Sequence, residues 1–122
     1  MTEKNDIVSR KDIEMLVDRF YDRVQADPLL APVFNHVNWN KHLPIMYSFW
    51  SSMLLGEGSY RGNPFQKHVM LSITGAHFGQ WLSLFIHTVD ELFAGGNAEE
   101  IKQRAGNIAH VFQQKMGLFE HG

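Results

Sequence analysis

From Ser9 onward the chain sets its apolar residues three and four apart. Ile13, Leu16, Val17, Phe20, Tyr21 and Val24 share one face of a helix, which Ser9 and Asp12 cap and Asp27-Pro28 ends. Pro28 to Asn35, carrying Leu29, Leu30, Val33 and Phe34, reads as a short helix or turn, and the polar stretch His36 to Asn40 as a loop. A second long helix is expected from about Asn40 to Leu55, with the stripe Leu43, Met46, Tyr47, Trp50, Met53 and Leu54; Pro44 fits only near its first turn. Gly56 to Gly62 reads as a loop. Asn63-Pro64 then reads as a cap followed by proline at the first position of a short helix bearing Phe65, His68 and Val69. Thr74 opens a third long helix with Phe78, Trp81, Leu82, Phe85, Val89 and Phe93 on one face, and Gly95-Gly96 stops it. Asn97 with Glu100 reads as the capping pair of a last helix carrying Ile101, Ala105, Ile108, Phe112 and Met116. No stretch alternates with period two, so the expected class is all-α: four long helices with short helical connectors.

Composition narrows this picture. At 122 residues, 44% hydrophobic and 20% charged, the chain suits one domain over 1–122, with 1–9 and 119–122 expected as flexible ends. The net charge is -2 and the basic residues are scattered, which argues against nucleic-acid binding. Cysteine is absent, so disulfides and thiolate metal sites are excluded. No apolar run approaches a membrane span, and Met1 to Arg10 is polar, so a cytoplasmic location is expected. Nine Phe, three Tyr and three Trp crowd one small core. They form either an aromatic-rich interior or the lining for a flat apolar cofactor, and composition alone favours the interior.

Among the histidines, His36, His87, His110 and His121 read as structural. His68 differs: Phe65, Val69 and Leu71 surround it, and a neutral imidazole against an apolar wall is what an axial haem ligand requires. His42 lies near a helix start with no zinc spacing to a partner, and no nucleophile elbow or phosphate loop is present. Tyr21 and Trp81 fall on faces that should be buried, so the O–H and N–H each need a partner. Each either meets a backbone carbonyl or points into a common cavity.

Four segments, in order, carry a resemblance: FYDRVQADPLLAPVF (Phe20 to Phe34), HLPIMYSFWSSMLLGEG (His42 to Gly58), PFQKH (Pro64 to His68) and HFGQWLSLF (His77 to Phe85). Over about residues 10 to 118 the chain resembles the truncated haemoglobins of the third group. The resemblance implies a shortened globin, two helices over two, around haem b. It implies His68 as proximal iron ligand, Tyr21, Trp81 and His42 as the distal set, and Phe34 against the haem face. Met46, Trp50 and Phe78, with Trp81, complete the implied lining. Pro44, two residues after His42, departs from the pattern and leaves the His42 ring either inside the pocket or turned outward as a gate.

The implied ligands are oxygen, nitric oxide and carbon monoxide. Donors from Tyr21, Trp81 and His42 would hold such a ligand tightly, which suits redox chemistry on nitric oxide, oxygen or peroxide better than bulk oxygen transport. No carboxylate neighbours His68 in sequence, so a peroxidase-like push is not encoded locally. No flavin or nicotinamide domain is present, and turnover would need an outside reductase. Two other classes stay open: a simple oxygen binder or sensor, and a non-haem helical interaction module.

Overall fold

The computed structural model describes residues 4–34, 37–56 and 75–115, apart from the side chains of Phe112 and Lys115. Four helices make up its regular structure: α1 (Arg10–Ala26), α2 (Trp39–Leu55), α3 (Gly75–Leu92) and α4 (Gly96–Lys115). The short helix expected to carry Phe65, His68 and Val69, the Thr74 cap, His36, Met116 and the end 119–122 lie outside the described residues.

Helix α1 begins where its sequence says. The Ser9 hydroxyl accepts the Asp12 N–H at 3.3 Å, and the Asp12 carboxylate accepts the Val8 N–H at 3.0 Å. The reciprocal cap thus closes one residue before the usual position. At the other end Asp27 turns extended (ψ 126°), as a residue before proline must, and its carboxylate accepts the Leu29 and Leu30 N–H groups at 3.0 and 2.9 Å. Residues 28–34 follow as turns rather than a helix, and they bury Leu30 and Phe34.

Helix α2 starts at Trp39, one residue earlier than expected, with the His42 N–H bonded to the Asn38 carbonyl at 2.9 Å. Pro44 is therefore the sixth helical residue, beyond the first turn, and denies the Asn40 carbonyl its helical donor. Asn40 is exposed, so water can replace that donor, and the helix continues to Gly56 in the left-handed conformation (φ 73°).

Helix α4 corrects a second expectation. Asn97 does not cap it with Glu100. The cap comes from Asp6, whose carboxylate accepts the Asn97 and Ala98 N–H groups at 3.0 and 2.8 Å, while the Asn97 side chain donates to the Ile7 carbonyl at 2.7 Å. The residues expected as a loose end are thus fastened from Lys4 onward. Asn5 accepts the Ala94 N–H at 3.1 Å, and Ile7 is fully buried. Gly95 makes the close approach possible: its φ is 137°, and a Cβ there would lie 2.5 Å from the Asp6 carboxyl carbon.

This contact predicts a pH-dependent stability. Burial pushes the Asp6 carboxyl up, but the N–H groups of Asn97, Ala98 and Ile7 outweigh it and hold it below the ordinary carboxylate range. A depressed folded value gives stability that is present above the unfolded value and lost as pH falls through the folded one. Asp6→Ala is expected to cost about 1–2 kcal/mol in urea unfolding at neutral pH, the range for a lost N-cap. That difference should shrink as the pH drops below 4 or so, where the unfolded carboxyl also takes its proton. An equal cost at neutral and strongly acid pH would assign the loss to packing instead.

The helices pair α1 with α2 and α3 with α4; α1 crosses α3, and α2 touches α4, giving two over two. Phe20 and Leu16 of α1, Trp50 of α2, Phe85 and Val89 of α3 and Ile101 of α4 form the shared core. Arg10 donates to Ser48 at 3.1 Å and Tyr47 to Asp18, tying α1 to α2. Arg23 donates to Thr88 at 2.9 Å and to Glu91 at 2.6 Å, tying α1 to α3. No described helix is long and apolar enough to cross a membrane.

Candidate functional site

Tyr21 comes from the buried face of α1 and is 3% exposed. Its ring meets His42 edge-on, with centroids 5.4 Å apart, and Trp39 at 5.1 Å. Phe34, carried in by the turns after Asp27, stands at 6.4 Å. The indole N–H of Trp81 on α3 donates to the Tyr21 hydroxyl. Three helices and one turn therefore converge on a single phenol.

The electrostatics follow from that burial. Removal from water pushes the Tyr21 phenol well above the ordinary tyrosine range, and the Trp81 hydrogen bond opposes this only in part. The hydroxyl thus keeps its proton throughout the neutral range. Its oxygen accepts from Trp81, which leaves its own hydrogen free to donate. An indole has one N–H, and Trp81 spends it on Tyr21. Tyr21, Trp81 and His42, expected as a distal set, lie together: Trp81 against the Tyr21 hydroxyl and His42 against its ring. His42 lies inward, with its Nε2 buried and its ring also against Trp39 at 5.5 Å. Of the two positions left open by Pro44, the ring takes the inner one.

The remaining expected residues are distributed around this group. Trp81 stacks on Phe85 at 5.7 Å and meets the edge of Phe20 at 5.7 Å. Trp50 stacks on the same Phe85 at 4.9 Å, so it is joined to the site through that ring. Met46 and Phe78 are buried on α2 and α3. His68 lies outside the described residues. Among the described residues no three His, Cys, Asp or Glu side chains gather as a metal-binding group.

Sequence reasoning missed Trp39. Trp39 falls within the polar stretch His36 to Asn40, which reads as a loop. Begun at Trp39, α2 carries Trp39, His42, Leu43 and Met46 at steps of three, four and seven, and that spacing was the available signal. It also missed the partner of Asp27: the Gln80 amide, next to Trp81, donates to the Asp27 carboxylate at 2.7 Å.

The donor chemistry suits a polar diatomic ligand on a flat apolar cofactor. One neutral O–H sits among aromatic rings, with a second donor-capable ring beside it. Similarity to known proteins gives the family. The model of the family described as bacterial-like globin matches residues 5–116. A group 3 truncated hemoglobin of Campylobacter jejuni is 33% identical and is covered over 98% of each chain. The group 1 truncated hemoglobin GlbN of Mycolicibacterium paratuberculosis is 34% identical over 80% of this chain and 71% of its own. The crystal structure of the group III truncated hemoglobin from Campylobacter jejuni superposes with a TM-score of 0.86 over 98% of each chain.

Proposed function

Because the chain belongs to the bacterial-like globins, as a truncated haemoglobin of the third group that binds haem b and diatomic gases, we propose that it carries out redox chemistry on its ligand rather than oxygen delivery. Haem b supplies, when bound, an iron that takes the gas and exchanges electrons with it. The protein's own contribution on the proximal side is the imidazole of His68. Tyr21 would donate its O–H to the bound gas, with the Trp81 N–H holding the phenol. His42 stands beside Tyr21 as a second donor, and the rings of Phe34 and Trp39 keep water out.

The observation that carries this reading is the buried Tyr21 hydroxyl, ringed by Phe34, Trp39 and His42 with the Trp81 N–H as its partner. A donor fixed before the ligand arrives loses nothing to reorganisation, so it stabilises charge that grows on the ligand as electrons move. It also slows release: a hydrogen bond to a charged acceptor contributes about 1.5–3 kcal/mol, and about 1.4 kcal/mol is a factor of ten. Electrons would come from a reductase, and a cytoplasmic location, where reductants are abundant, accords with this proposal.

Stopped-flow mixing of the oxygenated protein with nitric oxide tests it. Conversion to nitrate much faster than spontaneous oxygen release, and repeated once a reductant is added, is the expected result. Rapid oxygen release with slow nitrate formation would overturn the proposal and leave a simple oxygen binder.

A further inference from the structure

We propose that the Asp27–Gln80 hydrogen bond is a positioning device for the distal donors, fixing the height of α3 against α1 and through it the Trp81–Tyr21 bond. The proposal rests on the distal reading above. Partners along α1 and α3 run in opposite order: Arg19 with Glu91 at 3.5 Å, Arg23 with Thr88 at 2.9 Å, and Asp27 with Gln80 at 2.7 Å. The helices are antiparallel, bolted by Arg23 at one end and by Asp27 at the other. Beside these bolts the contacts are rings: Phe20 against Trp81 and Phe85, at 5.7 and 5.1 Å. Stacked and edge-on rings tolerate small sliding, because each atom pair contributes little. The indole-to-phenol bond does not, because it weakens steeply with misalignment.

Gln80 precedes Trp81 by one residue, a rise of about 1.5 Å along a stiff helix. Whatever holds Gln80 therefore holds the Trp81 backbone. Asp27 is itself a fixed post. Its N–H bonds the Val24 carbonyl at 3.2 Å, Pro28 restricts it, and its carboxylate grips the N–H groups of Leu29 and the fully buried Leu30. Burial raises the Asp27 carboxyl, but Leu30, Gln80 and Leu29 together hold it below the ordinary range, so the post stays charged at neutral pH. A charge-assisted bond to Gln80 is stronger than a neutral one. Asp27 and Gln80 act through Trp81 and are positioning residues.

The test uses the haem-loaded, carbon monoxide-saturated protein and reads the Trp81 indole N–H by proton NMR, identified by its loss in Trp81→Phe. Gln80→Glu sets two carboxylates face to face. The indole resonance is expected to move upfield as its bond lengthens, and gas release to quicken by about tenfold. The pair Asp27→Asn with Gln80→Glu reverses the donor and acceptor. The asparagine oxygen takes the Leu29 and Leu30 N–H groups, and its amide donates to the new carboxylate. Resonance and release are both expected to return towards the parent. An indole resonance unmoved in Gln80→Glu, or still displaced in the pair at parental thermal stability, overturns the positioning role. A resonance that shifts and returns supports it; if gas release then stays constant throughout, the failure belongs to the distal reading.

Discussion

His68→Ala is expected to abolish the native absorption spectrum of the haem-loaded protein, and added imidazole is expected to restore it. The resemblance puts His68 at the proximal position, and its sequence neighbours Phe65, Val69 and Leu71 are apolar. A neutral imidazole in such surroundings is a strong iron ligand, and nothing in its immediate sequence competes for it. Alanine leaves a void of about imidazole size, which free imidazole can fill. Retention of haem should fall as well, and with it the thermal stability of the loaded protein, since a ligand bound at 100 times its Kd contributes about 2.7 kcal/mol. The haem-free variant should unfold as the haem-free parent does. An unchanged spectrum in His68→Ala, together with a lost spectrum in His42→Ala, would reverse the two assignments.

The second large effect concerns Tyr21 and Trp81. Tyr21→Phe removes one oxygen and nearly preserves shape, and it should speed oxygen release by about tenfold or more, the worth of one hydrogen bond to a charged acceptor. Trp81→Phe should also speed release, because the phenol loses the N–H that aims it. In the Tyr21→Phe background the same change should do much less, since no phenol remains to be aimed. A double-mutant cycle on the off-rates is therefore expected to show coupling of about 0.5–3 kcal/mol. Melting temperatures of the same four proteins separate this from packing, as Trp81→Phe also loses volume beside Phe85. Lowered melting with unchanged off-rates would show that the pair serves only the core.

The helices were legible where the determinant lies inside the helix or at its edge. Ser9, Asp12 and the Asp27-Pro28 stop define α1 almost to the residue, and Gly56 ends α2. They were less legible where two local rules conflict. Pro44 prefers a first turn, yet Trp39 gains burial against Tyr21 and Phe34 by joining the helix, and the packing wins. The cap of α4 was out of reach: a sequence reader looks for the capping oxygen next to the helix, and here it arrives from Asp6. The site shows the same division. Tyr21, Trp81 and His42 could be named from pattern and resemblance, but the direction of the Trp81 N–H depends on how α3 sits on α1. Asp27 read only as a helix stop, although its carboxylate also reaches Gln80.

The hold of Asp6 on α4 also dictates an order of events during synthesis. The two partners are separated by 91 residues, so Asp6 leaves the ribosome well before Asn97 and waits for it. Until residues 96–98 are out, the start of α4 does not exist and Ile7 has no complete place of burial. Helices α1 and α2, with their own tethers through Arg10 and Tyr47, can pair well before then. Closure of the Asp6 segment over Gly95 consequently follows the pairing of the earlier helices. Bulk added just before Asp6 is expected to act on that step first, slowing the closure while leaving the early helix pair intact.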